Sequence, residues 1–363
     1  MSRLLSLGRA ASGIGVTLGV AAAGAAVGFA AERYAIGRSL RGDDPYADEP
    51  LGTLRGAPYT METDDGVHIH VEIDEPDGRP DLTVVFTHGY ALNLDSWHFQ
   101  RRDLRGRARL VFWDQRSHGR SSHAPDGTVS FDRLAADLSQ VIDEAVPKRG
   151  PLMLVGHSMG GMTVLALAQA RPELFASRVA GIGLVATSHK NVDATLGMPG
   201  TAGRLAHRLA PGVVAALARQ PDLIERGRRA GSDLGYVLTR RYSFVGRASP
   251  SLVAFTAKMN AATPIDVVAE FLPLFAANDQ EAAVAALPPV PMLVVGAAAD
   301  RLTPVEHSRE LAASLPQAEY VEVPDAGHMV LLERHEIVTD HLLKLLRRAR
   351  TDRPSRWRRR RSR

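Results

Sequence analysis

One serine, one histidine and one aspartate carry types and positions suited to nucleophilic acyl transfer. Ser158 stands in Gly156-His157-Ser158-Met159-Gly160. The apolar run Leu152–Gly156 leads into it, and a second apolar run, Met159–Gln169, follows. A sharp strand–turn–helix junction there presents the serine hydroxyl at the carboxyl end of a sheet, and glycines at 156 and 160 keep side chains out of the crowded turn. The helix N-terminus beneath favours the negative charge that develops when a carbonyl is attacked. A serine hydroxyl is a poor nucleophile until a base takes its proton. Among the 13 histidines, His328 is the candidate base. It lies in Pro324–Met329, between an apolar strand and a closing helix, and loops at strand carboxyl ends line the ligand crevice of such folds. His157 is inside the turn and is expected to point away from the site. His118 and His123 fall in a loop, and His335 falls on the closing helix.

The base needs a carboxylate to hold its tautomer and to stabilise the imidazolium. Asp300 follows the apolar run Pro291–Gly296 and three alanines, and is the first choice. That position also suits an ordinary turn or N-cap aspartate. Asp325 is a rival by proximity, but three residues from His328 it is badly placed to reach the far ring nitrogen. Asp193 is a second rival. Two backbone N–H groups must face the oxyanion. Met159, just after the nucleophile, supplies one. The other is expected from Tyr90 in the loop His88-Gly89-Tyr90, where Gly89 permits a tight turn.

These loops need a scaffold, and the chain between Tyr59 and Leu346 provides it. Tyr59–Glu62 and Val67–Ile73 read as a hairpin across Asp64-Asp65-Gly66. Leu82–Thr87, Arg109–Trp113, Leu152–Gly156, Val179–Val185, Pro291–Gly296 and Glu319–Val323 read as buried strands. Phe131, Leu134, Ala135, Leu138, Val141, Ile142 and Ala145 recur at helical spacing. Further helices are expected over Met159–Gln169, about Pro304–Ser314 and Val330–Leu346. Strands alternating with helices imply a mostly parallel sheet with helices on both faces. Between Lys190 and Leu287 the alternation stops. The segment 190–287 is rich in Ala, Leu and Arg and reads as a helical cap inserted between 59–189 and 288–346. Phe244, Phe255, Met259, Phe271 and Phe275 within it are the apolar candidates for a substrate pocket.

The ends differ from this middle. Residues 1–9 form a basic start with Arg3 and Arg9. Ala10–Ala31 carries no charge and is long enough to cross about 30 Å of hydrocarbon. It reads as a membrane anchor, as a secretory signal peptide, or as an Ala-rich helix packed on the domain. The protein is accordingly expected to be membrane-anchored or secreted, with a cytoplasmic place left open. Residues 42–58, rich in Asp, Pro and Gly, read as a linker. The segment 347–363 holds ten Arg and one Asp and reads as a basic disordered tail.

Composition narrows the chemistry. The 363 residues are 45% hydrophobic and 23% charged, values of a soluble globular protein rather than a disordered or polytopic membrane chain. The net charge of +4 belongs to the tail. Without that tail 34 basic residues face 39 acidic ones, so no basic stripe remains to neutralise phosphates and no nucleic-acid partner is expected. With no cysteine, thiol nucleophiles, disulfides, iron–sulfur clusters and cysteine-ligated zinc are excluded. No cluster has the spacing of a metal site.

With the order Ser158, Asp300, His328, the region from about Tyr59 to Leu346 resembles the α/β-hydrolase superfamily. The resemblance rests on the His88-Gly89 loop, the Gly156–Gly161 turn, the Asp300 loop and the Gly327-His328 loop. A fifth element, Asp114-Gln115-Arg116-Ser117-His118-Gly119-Arg120-Ser121, looks like the family's Asp-x-Arg-Gly-His-Gly-x-Ser loop, with Ser117 where glycine is usual. The resemblance implies an α/β-hydrolase fold: a mostly parallel twisted sheet flanked by helices, with a helical cap insertion. It implies a serine hydrolase that cleaves carboxylic esters, lipid esters among them, through an acyl-enzyme on Ser158. It also implies that no metal or organic cofactor is needed. Cofactor-free haloperoxidases, perhydrolases and carbon–carbon bond hydrolases share the triad and remain alternatives, as does a non-catalytic binding member of the fold. Epoxide hydrolases and dehalogenases of the superfamily use an aspartate nucleophile, which Ser158 opposes.

Overall fold

A computed structural model describes residues 43–78, 80–125, 127–192 and 232–351. Eight strands form one sheet: β1 (Ala57–Glu62), β2 (His68–Asp74), β3 (Thr83–Thr87), β4 (Arg109–Trp113), β5 (Leu152–His157), β6 (Val179–Val185), β7 (Met292–Ala297) and β8 (Ala318–Val323). Their order is β1-β2-β4-β3-β5-β6-β7-β8. The β1–β2 and β2–β4 pairs are antiparallel, and every pair from β4 onward is parallel.

The central strands read as unbroken apolar runs because both faces of the sheet are covered. Val84, Phe86, Phe112, Val155 and Val295 point into one core with Trp97, Phe99 and Leu342. Their neighbours Val85, Val111, Leu154 and Val294 point into the other with Leu138, Ile142 and Leu165. Side chains alternate along a strand, so two covered faces remove the polar half of the pattern. Full burial of each such side chain stabilises the fold by about 1.5–3 kcal/mol. The helix Phe131–Ala145 matches its expected limits, with Ser130 capping the Arg133 N–H. Four helices follow one another within residues 232–287: Ser232–Ser243, Pro250–Ala262, Ile265–Ala276 and Glu281–Ala285.

Three differences from the sequence reading have physical causes. The segment 42–58 is not a free linker over its described part. Asp44 accepts hydrogen bonds from Ser249 and Ser251 at the start of a cap helix, and Tyr46 Oη lies 2.9 Å from His335 Nε2. His98 Nε2 donates to Glu49, and the Gly56 N–H donates to Glu72. The polar residues that suggest a linker are the groups that tie this strap down. The closing helix breaks at Arg334 into Val330–Glu333 and His335–Thr351. It also runs past Leu346 into the basic segment, where Arg350 pairs with Asp81.

The candidate membrane segment 10–31, Asp193 and residues 352–363 lie outside the described residues. Among the described residues no helix is long and apolar enough to cross a membrane.

Candidate active site

The turn after β5 has the strain that the glycine spacing predicts. Ser158 stands at φ 51°, ψ −121°, a region that L-residues seldom enter. A methyl group at Gly156 would meet Gly160 O at 2.4 Å, and one at Gly160 would meet Thr87 O at 2.2 Å. Only glycine lets the helix Met159–Ala170 start so close under β3. The Ser158 backbone is pinned on both sides. Its N–H donates to Val185 O at 3.0 Å, and its carbonyl accepts from Thr187 Oγ1 at 2.7 Å. The Ser158 side chain has no hydrogen-bond partner among the described residues.

The structure brings Asp300 to His328, with Oδ2 at 2.9 Å from Nδ1. Asp300 Oδ1 accepts from the N–H groups of Leu302 and Thr303, at 2.8 and 2.9 Å. The turn aspartate and the partner of the imidazole are therefore one residue, with one oxygen for each task. Thr303 Oγ1 lies 2.9 Å from Asp300 Oδ2 and 2.9 Å from Ala186 O, so its one proton can go to either acceptor. With Nδ1 engaged, Nε2 is the ring nitrogen left for proton transfer. Ser158, Asp300 and His328 are 7, 7 and 6% exposed, so the cluster is largely dry yet reachable. Ser158 and His328 are not hydrogen-bonded to each other in this state; such contacts often tighten only with substrate bound. Asp325 is exposed, at φ 50°, and has no bond to His328.

The loop after β3 lies against the turn. A methyl group at Gly89 would sit 2.8 Å from His157 Nδ1 and 3.2 Å from Ser158 Cβ. His88 holds this loop: its Nδ1–H donates to Gly89 O at 2.7 Å, while Nε2 accepts from the Gln115 N–H at 2.9 Å. Burial, with His118 nearby, pushes the His88 pKa down to about 3, so the ring is neutral and its tautomer is set by these bonds. Met159 opens its helix, so its N–H has no intrahelical acceptor. The Tyr90 N–H has no acceptor among the described residues. Both proposed oxyanion donors are thus unengaged.

The cap meets this machinery twice. Tyr90 Oη donates to Val268 O at 2.6 Å, and its ring packs on Phe271 and Phe275. Met159, Val267 and Phe271 share a small apolar cluster. On the other side Phe244 joins the main core. Of the five apolar cap residues expected at a pocket, Phe271 and Phe275 flank Tyr90. Phe255 instead covers Gly52 of the strap.

Sequence reasoning missed three supporting groups. His157 does not simply point away: it is buried, and its Nε2–H donates to the His328 carbonyl at 3.0 Å. Burial, with His328 beside it, pushes its pKa down to about 3. Thr303 and Glu333 are the others. Only their place three residues after Asp300 and five after His328 could have marked them.

A family model described as the alpha/beta hydrolase fold matches residues 83–335. The mouse sn-1-specific diacylglycerol lipase ABHD11 is 26% identical over 280 residues, covering 72% of this chain and 80% of that protein. The acetyltransferase component of the acetoin cleaving system of Pseudomonas putida is 25% identical, over 74% of this chain and 65% of its own length. Among solved structures, a thermophilic esterase from Thermogutta terrifontis superposes with TM-score 0.63 at 25% identity, covering 82% of this chain and all of that one.

Proposed function

Because the chain belongs to the α/β-hydrolase fold family, we propose that it is a serine hydrolase of carboxylic esters. Ser158 is the nucleophile, His328 the general base and acid, and Asp300 the carboxylate that holds His328. The observation that carries this reading is the 2.9 Å Asp300–His328 bond together with a serine held at φ 51° whose hydroxyl has no partner among the described residues.

The chemistry follows from the positions. Ser158 Oγ attacks the ester carbonyl and passes its proton to His328 Nε2. Asp300 keeps the proton on Nδ1 and stabilises the imidazolium. The N–H groups of Met159 and Tyr90 take the oxyanion; donors already in place need no reorganisation as charge develops. Collapse expels the alcohol, which takes the proton from His328, and leaves an acyl group on Ser158. Water then attacks under the same base, and the acid departs.

The likeness to a diacylglycerol lipase and to an esterase, with aromatic cap residues beside Tyr90, supports an apolar small-molecule ester. Membrane association through Ala10–Ala31 rests on the sequence alone and would keep the enzyme near lipid substrates. A fluorophosphonate probe should label Ser158, and p-nitrophenyl esters of graded chain length should be turned over. An unlabelled protein that hydrolyses none of them would refute the reading. Peroxide-dependent bromination faster than ester hydrolysis would favour the haloperoxidase alternative. Carbonate washing of a cell membrane fraction tests the anchor: release of the full-length chain would rule it out.

A further inference from the structure

Glu333 is a buried carboxylate with no ion-pair partner among the described residues, and only 7% of it is exposed. Burying a charge is costly unless its oxygens find donors. Here both do, on different parts of the chain. Oε2 accepts from the Gly327 N–H at 2.7 Å, and Oε1 accepts from the Val245 N–H at 2.9 Å. Gly327 precedes His328. Val245 lies just past the cap helix Ser232–Ser243. A well-packed apolar residue would serve stability as well or better. What an apolar residue could not do is join two loops.

The surroundings point the same way. The Met329 N–H donates to Ser243 O at 2.9 Å, and a methyl group at Gly327 would strike Ser243 O at 2.8 Å. The His328 carbonyl is held by His157. Three consecutive residues around the base are therefore each tied to a different element: Gly327 to Glu333, His328 to the nucleophile turn, and Met329 to the cap. Among the described residues, Glu333 reaches both the cap and the histidine loop with one side chain.

We propose that Glu333 is a positioning residue that couples the cap segment Ser243–Val245 to His328, so that the imidazole is set for proton transfer only while the cap is seated. This rests on His328 being the base of the proposed hydrolase. It makes the seating of the cap a condition for turnover as well as a wall of the pocket.

The test is Glu333→Gln. A carboxamide has one acceptor oxygen, and its NH2 would face the other N–H, so one link breaks with little change of size. The full chain is titrated with a fluorophosphonate to count active sites, and kcat per titrated site and KM are measured on a p-nitrophenyl ester. A misplaced catalytic group costs on the order of a hundredfold, so kcat per site should fall by about tenfold to a hundredfold with KM within about threefold. Unchanged kcat per site, with only fewer sites or a lower melting temperature, would show a merely structural role and overturn the coupling. Backbone amide exchange at Gly327 and Val245 gives a readout independent of activity. Both amides should be protected in the unmodified protein, and the one left facing the carboxamide NH2 should lose protection in the variant. Full protection retained at both would also overturn the proposal. If the unmodified protein neither titrates nor hydrolyses esters, the ester reading falls, and the exchange data still decide whether the clamp exists.

Discussion

Among the described residues two serines stand at positive φ, and they resolve that strain in opposite ways. Ser158 is at 51° and Ser117 at 63°. Ser117 sits in the loop after β4, where the family pattern has glycine. Its N–H donates to Ser122 O at 3.0 Å, and its Oγ accepts from the Ala124 N–H at 2.9 Å. The hydroxyl is consumed in holding the loop. At Ser158 the backbone is held by Val185 and Thr187, and the hydroxyl has no partner among the described residues. Strain of this kind costs on the order of 1–3 kcal/mol per residue and persists only where the surroundings enforce it. The hydroxyl of one strained serine is spent on its loop; that of the other, on the function proposed above, is kept for chemistry.

The largest effect should come from Ser158, the proposed nucleophile. Ser158→Ala should lower kcat for ester hydrolysis by about a millionfold, the scale for loss of a nucleophile, with the melting temperature unchanged or raised. More than a tenth of the activity surviving in pure variant protein would sink the assignment. Ser117→Ala should leave kcat within about twofold, since nothing links that hydroxyl to chemistry.

Next in size is the acid. Asp300→Asn should lower kcat by about ten-thousandfold by offering His328 the wrong tautomer. Asp325→Asn should change little, because Asp325 is exposed and has no bond to the imidazole. Equal mild losses in both would mean that the carboxylate lies elsewhere, with Asp193 the next to test.

What the sequence disclosed follows from where its pattern was local. Continuous apolar runs marked the central strands because both sheet faces are covered, and Ser158, Asp300 and His328 stood out as candidates because each follows such a run. The helix His98–Leu104 was invisible because its inward side carries His98, Gln100 and Arg101. These are buried against Glu49, Leu331 O and Asp74, partners distant in sequence. The strap 43–56 was misread for the same reason. Polar composition looks alike whether its partners are water or a folded body. His157 and Glu333 escaped because each acts through a backbone group on another loop, and a backbone group leaves no mark in a sequence.

Each strained serine has a buried neutral histidine beside it in sequence, which makes the two regions sensitive to acid together. Burial pushes His157 down to about 3 and His118 down to about 4, and His88 between them is down to about 3. Unfolded, all three would titrate near 6.5. Their contribution is therefore complete above about pH 6.5 and is lost as pH falls toward their folded pKa values. Below pH 6 each should remove roughly 1 kcal/mol of stability per pH unit. Asp114 is raised to about 6 by burial and works in the opposite sense, offsetting about one of the three. Chemical denaturation between pH 7 and pH 5 should show this decline. A flat profile would mean that the histidines are hydrated or already charged.

The smallest effect is the finest test of the comparison. Replacing either serine with glycine relieves backbone strain, worth on the order of 1–3 kcal/mol, and adds freedom to the unfolded chain, which takes back roughly 0.5–1 kcal/mol. At Ser158 no side-chain hydrogen bond is lost, so Ser158→Gly should gain about 1 kcal/mol. At Ser117 the Oγ bond to the Ala124 N–H goes as well. That amide is buried, and leaving it unpaired costs about 1–3 kcal/mol. Ser117→Gly should therefore be neutral or destabilising, although glycine is the family's usual residue there. Equilibrium unfolding of both variants at pH 7.5 gives the two differences directly. An equal gain at both positions would show that the Ser117 hydroxyl holds nothing, and that the two serines differ only in what lies above them.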